Sequence, residues 1–325
     1  MEKLEWIVVF TDFGMGDVIC STVAFRNLRK KYPEIPIIAA SVYPDIYLHN
    51  PNINHVYALG QWHDLYEKWC RPAKSFEQIF NLKIYERPYQ RLGTKPISAV
   101  MCDQLNVPFD NDTPEIFLTD AEDEFGKDFC LSYQKPTVLI QCESARPPLQ
   151  ANKKMINEKD MVGDWWERLV AAGKDKYDFI QMGCSEEKPI AGVKTSLLGK
   201  TTVRQTFSIA KYASSFVCID SFLGHAGAAV GKSGHVLFGR SRVKTLGHES
   251  NNNIIVRESC PDIECCRPEP QFGDLMVDNN ALKNWACPDR VCMKAITVPM
   301  VLEALDKQLD VPEEKDVELK AAKCL

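Results

Sequence analysis

The chain has 325 residues, 45% of them hydrophobic and 26% charged, which is the balance of a globular protein with a sizeable core and excludes a disordered or fibrous one. Its formal net charge of -5 excludes the broad basic surface that nucleic-acid binders carry. At this length a single core stops growing, so about two domains are expected.

The opening MEKLEWIVVFTDFG places acidic residues before a short apolar run that breaks at Thr11 and Asp12, unlike the basic start and long apolar stretch of an export signal. No later segment reaches the ~18 apolar residues that span a bilayer. A cytoplasmic protein is expected, with peripheral membrane association at most. In that setting the thirteen cysteines read as reduced thiols, most of them core packing, rather than as a disulfide framework.

Trp6 to Phe10 is a β-branched and aromatic run that predicts a buried strand, closed by the turn Gly14-Met15-Gly16-Asp17. From Val18 to Tyr32 the apolar positions fall on one helical face, and Arg29, Lys30 and Lys31 occupy the last turn, where cations complement the helix dipole. Residues 35–42 predict a second parallel strand, which completes a right-handed βαβ unit. Residues 61–95 lack clean periodicity and residues 110–128 are acidic with Pro114; both read as helices and loops over the first sheet. Thr137 to Cys142 is again a buried strand, and the proline-containing stretch after it marks the expected boundary. The second half then alternates: helix 164–172, strand 177–182, helix 203–213, strand 215–220, helix 224–230 and strand 235–238. The expected organisation is one Rossmann-like domain over 1–145, a second over 146–311 and a charged tail at 312–325.

Three constellations are suited to chemistry. In the first, Gly14 and Gly16 permit close backbone approach at a helix N-terminus, which favours anions. A dinucleotide fingerprint would need a third glycine where Ile19 stands, so an NAD site does not follow. Asp17 there also fits a plain helix-dipole role. In the second, Asp220, Ser221, Gly224 and His225 follow a predicted strand and open a helix, where ligands bind in open α/β sheets. The same residues would also serve as a helix cap with a packed histidine. The third is Cys260, Cys265, Cys266, Cys287 and Cys292, whose irregular spacing suits packed thiols better than a zinc knuckle, in which two to four residues usually separate the ligands of a pair.

Taken together, GMGDVICSTVAFRNLRKKYPEIPIIAAS with NPNINHVYAL, TTVRQTFSIAKYASSFVCIDSFLGHAGAAVGKSGHVLFG and ACPDRVCMKAITVPMVLEAL resemble, in order, the ADP-heptose:lipopolysaccharide heptosyltransferase family, which builds the inner core of bacterial lipopolysaccharide. The resemblance implies a GT-B fold: two Rossmann-like domains facing a cleft, with the acceptor on the first and a nucleotide-sugar donor on the second. It implies an inverting, metal-independent glycosyltransferase with no cofactor, acting on a glycan or glycolipid. The family's catalytic base falls on Asp17 and its donor-diphosphate loop on Asp220 to His225. Its leaving-group cation falls on Lys154, with Lys153 beside it. Phe222 stands where the family has glycine, and this motivates the competing expectation of a nucleotide-sugar-binding protein without turnover.

Overall fold

The computed structural model describes residues 5–72, 78–82, 84, 95–143, 159–239, 241–256 and 290–310. In chain order the elements are β1 (Ile7–Thr11), α1 (Met15–Lys31), β2 (Ile37–Ser41), β3 (His55–Ala58), α2 (Trp62–Leu65), β4 (Ile79–Asn81), α3 (Ile97–Gln104), α4 (Asp120–Leu131), β5 (Thr137–Gln141), α5 (Trp165–Gly173), β6 (Asp178–Met182), β7 (Thr195–Ser196), α6 (Val203–Tyr212), β8 (Ser215–Ile219), α7 (Phe222–Ala229), β9 (His235–Phe238), α8 (Val243–Leu246) and β10 (Asn252–Ile255), and two helices, Val291–Ala295 and Val298–Gln308, close the described chain.

The strands form two sheets, a four-stranded one in the order β3-β2-β1-β4 and a six-stranded one in the order β10-β9-β8-β5-β6-β7. Every pairing is parallel. The continuous apolar runs of β5, β6, β8 and β9 follow from burial on both faces, as parallel sheets require. Along β5, Val138 and Ile140 enter the core shared with α5 and Val298–Gln308, whereas Leu139 enters the core on the opposite side with Ile209 of α6. The expected α/β architecture of two parallel sheets is thus present.

The division of the chain differs from the expected one. β5 does not belong to a first unit ending at 145; it lies between β8 and β6 in the second sheet. A buried apolar run carries no mark of which parallel sheet it joins. The acidic segment ahead of it also turns to the second half, because α4, capped by Thr119 with Glu122 in a reciprocal box, packs along α6. Residues 61–95, read as helix and loop, also contribute β4, which pairs with β1. The tail expected at 312–325 lies outside the described residues.

The two halves share an apolar joint. The core beneath β1 and α1 includes Phe207 of α6 with Ala226 and Ala229 of α7. Arg204 of α6 pins the same joint: its guanidinium donates to Glu122 Oε1 at 2.7 Å and Oε2 at 2.6 Å, to the Phe117 carbonyl at 2.6 Å and to the Asp45 carbonyl at 3.4 Å. Among the described residues no helix is long and apolar enough to cross a membrane.

Candidate functional site

The turns that leave β1, β6 and β8 at their carboxyl ends gather the polar groups that the fold leaves beside the joint. On the β8 side Asp220 is 3% exposed. Lys159 Nζ lies 3.0 Å from its Oδ2. Burial pushes the Asp220 carboxyl up, but Lys159, His225 and the Ser241 hydroxyl outweigh it and hold the group below its ordinary value. The carboxylate is therefore charged and tied to a cation at the foot of α7.

Ser221 occupies the N-cap of α7 and makes no side-chain cap bond. The amide of Leu223 donates to Gln141 Oε1 at 2.8 Å, and that of Gly224 to the Ser221 carbonyl at 3.2 Å. Gly224 faces the sheet: a Cβ added there would meet Val236 Cγ2 at 3.1 Å and Cys218 Sγ at 3.6 Å. The glycine lets α7 sit close on β8 and β9. Asp220, Ser221, Gly224, His225 and His248 line a shallow recess that does not, as it stands, admit a water molecule. Phe222 is not among its lining residues; its ring packs 5.6 Å from that of Phe207.

His225 is turned into the joint. Its Nδ1 lies 2.8 Å from His248 Nε2 and 3.4 Å from Cys20 Sγ of α1. Burial, reinforced by His248, lowers its pKa to about 3, so the imidazole is neutral at physiological pH. Across from it, a Cβ on Gly16 would come within 2.6 Å of His225 Cδ2. Gly16 is thereby required for α1 to lie against α7, a reason that no local reading of the glycine turn supplies. Gly14 adopts φ -59°, and a Cβ there would touch only Asp17 Oδ2, at 3.4 Å. Asp17 stands half-buried in the first turn of α1.

Lys153 and Lys154 lie outside the described residues, as do Cys260, Cys265, Cys266 and Cys287. Cys292, the described member of that cysteine set, is half-buried. Sequence reasoning missed Lys159, which no pattern separates from its neighbouring lysines. It also missed Glu187, which the rule that ligands gather at strand ends would have found after β6. Glu187 Oε1 accepts from the Cys184 amide at 2.8 Å. Burial raises its pKa to about 7 against that hydrogen bond, and Glu143, Asp160 and Glu186 add to the rise. The chain also carries an aspartate-any-aspartate run at Asp110–Asp112, the pattern that often holds a metal in sugar transfer. Here Asp110 is committed to Arg26 at 2.9 Å and Lys30 at 2.6 Å.

Residues 171–274 match the model of glycosyltransferase family 9 (heptosyltransferase). The matched segment contains β6 to β10 and the Asp220–His225 turn. No curated protein matches the chain by sequence. Among solved structures, the glycosyl transferase family 9 protein of Veillonella parvula DSM 2008 superposes with a TM-score of 0.64 at 15% identity, over 94% of this chain and 97% of that one. The ADP-heptose lps heptosyltransferase II of E. coli gives 0.64 at 15% identity, over 94% of this chain and 98% of that one. The iron-containing dodecameric glycosyltransferase TibC of enterotoxigenic E. coli H10407 gives 0.65 at 12% identity, covering 95% and 77%. At these identities the structural likeness establishes the GT-B fold, and the family model carries the resemblance drawn from the sequence.

Proposed function

We propose that this chain, a glycosyltransferase of the family 9 heptosyltransferase type, moves a sugar from a nucleotide-sugar donor to a glycan or glycolipid acceptor, with inversion and without a metal ion in the transfer step. The observation that carries the reading is the Lys159–Asp220 pair, 3.0 Å apart, at the start of α7. A buried carboxylate there fixes a cation beside a helix N-terminus, and both stabilise charge on a departing diphosphate.

In this reading the acceptor hydroxyl attacks the anomeric carbon from the face opposite the diphosphate. The bond to the diphosphate oxygen breaks, and its electron pair leaves with the nucleotide. Asp17 takes the hydroxyl proton as the new bond forms. Ser221 and the α7 amides receive the diphosphate, backed by His225 and Asp220 and neutralised by Lys159; Lys153 and Lys154 of the same basic stretch serve the donor side as well. The recess has no room for a ligand as it stands, so the diphosphate lies at its mouth, over the start of α7. The nucleoside then extends toward Glu187 at the end of β6, where a carboxylate suits the ribose hydroxyls. Phe222 packs on Phe207 and does not line the recess, which removes the argument for a binding-only protein.

ADP-heptose, named for the E. coli relative, is the first donor to try, and lipopolysaccharide-type glycans the first acceptors. A nucleoside diphosphate at a hundred times its dissociation constant stabilises its protein by about 2.7 kcal/mol. A melting-temperature rise with ADP or another nucleoside diphosphate, weakened in Lys159→Ala, is expected. Transfer is expected to persist in EDTA. No shift with any nucleotide would refute the donor site, and turnover restored by magnesium or manganese after chelation would refute metal-free transfer.

A further inference from the structure

Cys20, His225 and His248 bring one thiol sulfur and two ring nitrogens together, with all three atoms within 4.8 Å of one another. We infer that they form a binding site for a soft divalent transition metal of the zinc class, a structural clamp that ties α1 of the first half to α7 and the loop before β10 of the second. The inference does not rest on the reading of sugar transfer.

Geometry supports it first. A tetrahedral ion with bonds of about 2.3 Å to sulfur and about 2.0–2.1 Å to imidazole nitrogen needs ligand atoms separated by ~3.6 Å for sulfur to nitrogen and ~3.4 Å for nitrogen to nitrogen. Here Cys20 Sγ stands 3.4 Å from His225 Nδ1, and His248 Nε2 stands 2.8 Å from the same Nδ1. A small turn of the His248 ring opens the second distance. The three ligands come from segments 205 and 23 residues apart, so the fold assembles them and no local turn explains their meeting. Three protein ligands leave the fourth position to a water, one protein ligand fewer than closed structural zinc sites have.

Chemistry supports it second. A single imidazole nitrogen carries either one proton or one lone pair, so without a cation Nδ1 of His225 satisfies one of its two neighbours and leaves the other. A metal takes all three lone pairs at once. Asp17, Asp112 and Asp220 place negative charge around the Cys20 thiol. The carboxylates that disfavour a bare thiolate favour a dication beside it, and a bound ion deprotonates the thiol outright. One thiolate with two imidazoles selects zinc-class ions over magnesium or calcium, which take oxygen ligands.

The test is cobalt titration of the metal-stripped full-length chain, read by metal content and by the thiolate-to-cobalt absorption band. Cys20→Ala and His248→Gln are each expected to bind one equivalent fewer than wild type and to lose the contribution of a tetrahedral sulfur–nitrogen site. Cys292→Ser is expected to keep that equivalent. Equal stoichiometry and equal spectra in all four proteins would overturn the site. Circular dichroism verifies that the variants are folded. If they are not, zinc-edge X-ray absorption of the wild-type protein decides the matter. The cysteine-rich stretch after 249 contains no histidine, so a shell of one sulfur and two imidazoles reports this cluster, whereas a sulfur-only shell would contradict it. Failure of the donor reading would appear in nucleotide binding, and failure of this site in metal content.

Discussion

Arg204→Met tests whether the buried guanidinium holds the joint. Arg204 is 7% exposed and its hydrogen bond is the largest cause that lowers Glu122 from 4.5 to about 2, against burial and with help from Thr119. At about 1.36 kcal/mol per pKa unit the full shift would correspond to ~3.4 kcal/mol. The Glu122 side chain is 24% exposed and Thr119 supplies part of the shift, so ~2 kcal/mol is assigned to the pair itself. Losing the bonds to Phe117 and Asp45 adds about 1 kcal/mol. The single variant is therefore expected to lose ~3 kcal/mol, a fall of roughly 6 °C or more in melting temperature for a chain of this size. In a cycle with Glu122→Gln the double variant is expected to recover ~2 kcal/mol of coupling. The sign of the pH dependence follows from the depressed carboxyl. The stabilisation is complete above pH 4.5 and is lost as pH falls toward about 2, so the gap between wild type and Arg204→Met narrows by the pair's ~2 kcal/mol over that window. A coupling below ~0.5 kcal/mol, or a gap unchanged by acid, would refute the reasoning.

Two further outcomes follow from the site. Gly16→Ala forces a methyl to within 2.6 Å of His225 Cδ2; about 1–3 kcal/mol of overpacking, partly offset by ~1 kcal/mol of helix propensity, should lower the melting temperature. Gly14→Ala, whose Cβ meets only Asp17 Oδ2 at 3.4 Å, should not, and equal effects would show that α1 does not rest on His225. Because burial raises Glu187 to about 7 from 4.5, its effect on stability runs the other way from that of Glu122. Wild type loses stability as pH rises from 4.5 through 7, by ~1–2 kcal/mol after allowance for partial exposure. Glu187→Gln should flatten the melting-temperature profile between pH 5 and pH 8, and parallel profiles would exclude a buried, proton-holding carboxyl.

Much of this structure is legible in the sequence where burial alone decides it. The runs that became β1, β2, β5, β6, β8 and β9 are apolar on both faces, and helices with a clear apolar face appear within a few residues of their expected limits. The short strands are not legible. β3 reads HVYA with no fully buried residue, β4 has three residues and β7 two, because edge strands need only one covered face. The sheet that β5 joins is also hidden, since parallel-strand composition is the same in either. The turn at Asp220–His225 is visible as polar and glycine residues after a buried strand. What His225 touches is not, because Cys20 lies 205 residues away and only the packing of α1 on α7 brings them together. That Lys159 reaches Asp220 has the same origin: spacing cannot choose among the lysines of one basic stretch.

Whether Asp17 is the base of the transfer is decided by Asp17→Asn. An acceptor hydroxyl is a poor nucleophile, and a positioned carboxylate contributes roughly 10²–10⁴-fold in rate by taking its proton. Asparagine keeps the size and cannot accept that proton. The measurement is the rate of nucleoside diphosphate release from the nucleotide-sugar donor in the presence of acceptor, with donor affinity and melting temperature determined on the same samples. The account predicts a loss of at least ~100-fold in rate, with donor affinity and melting temperature nearly unchanged. A variant that turns over at a near-normal rate, with a stability cost of only ~0.3–1 kcal/mol, would show that Asp17 is a favourable charge at the start of α1 and not the base.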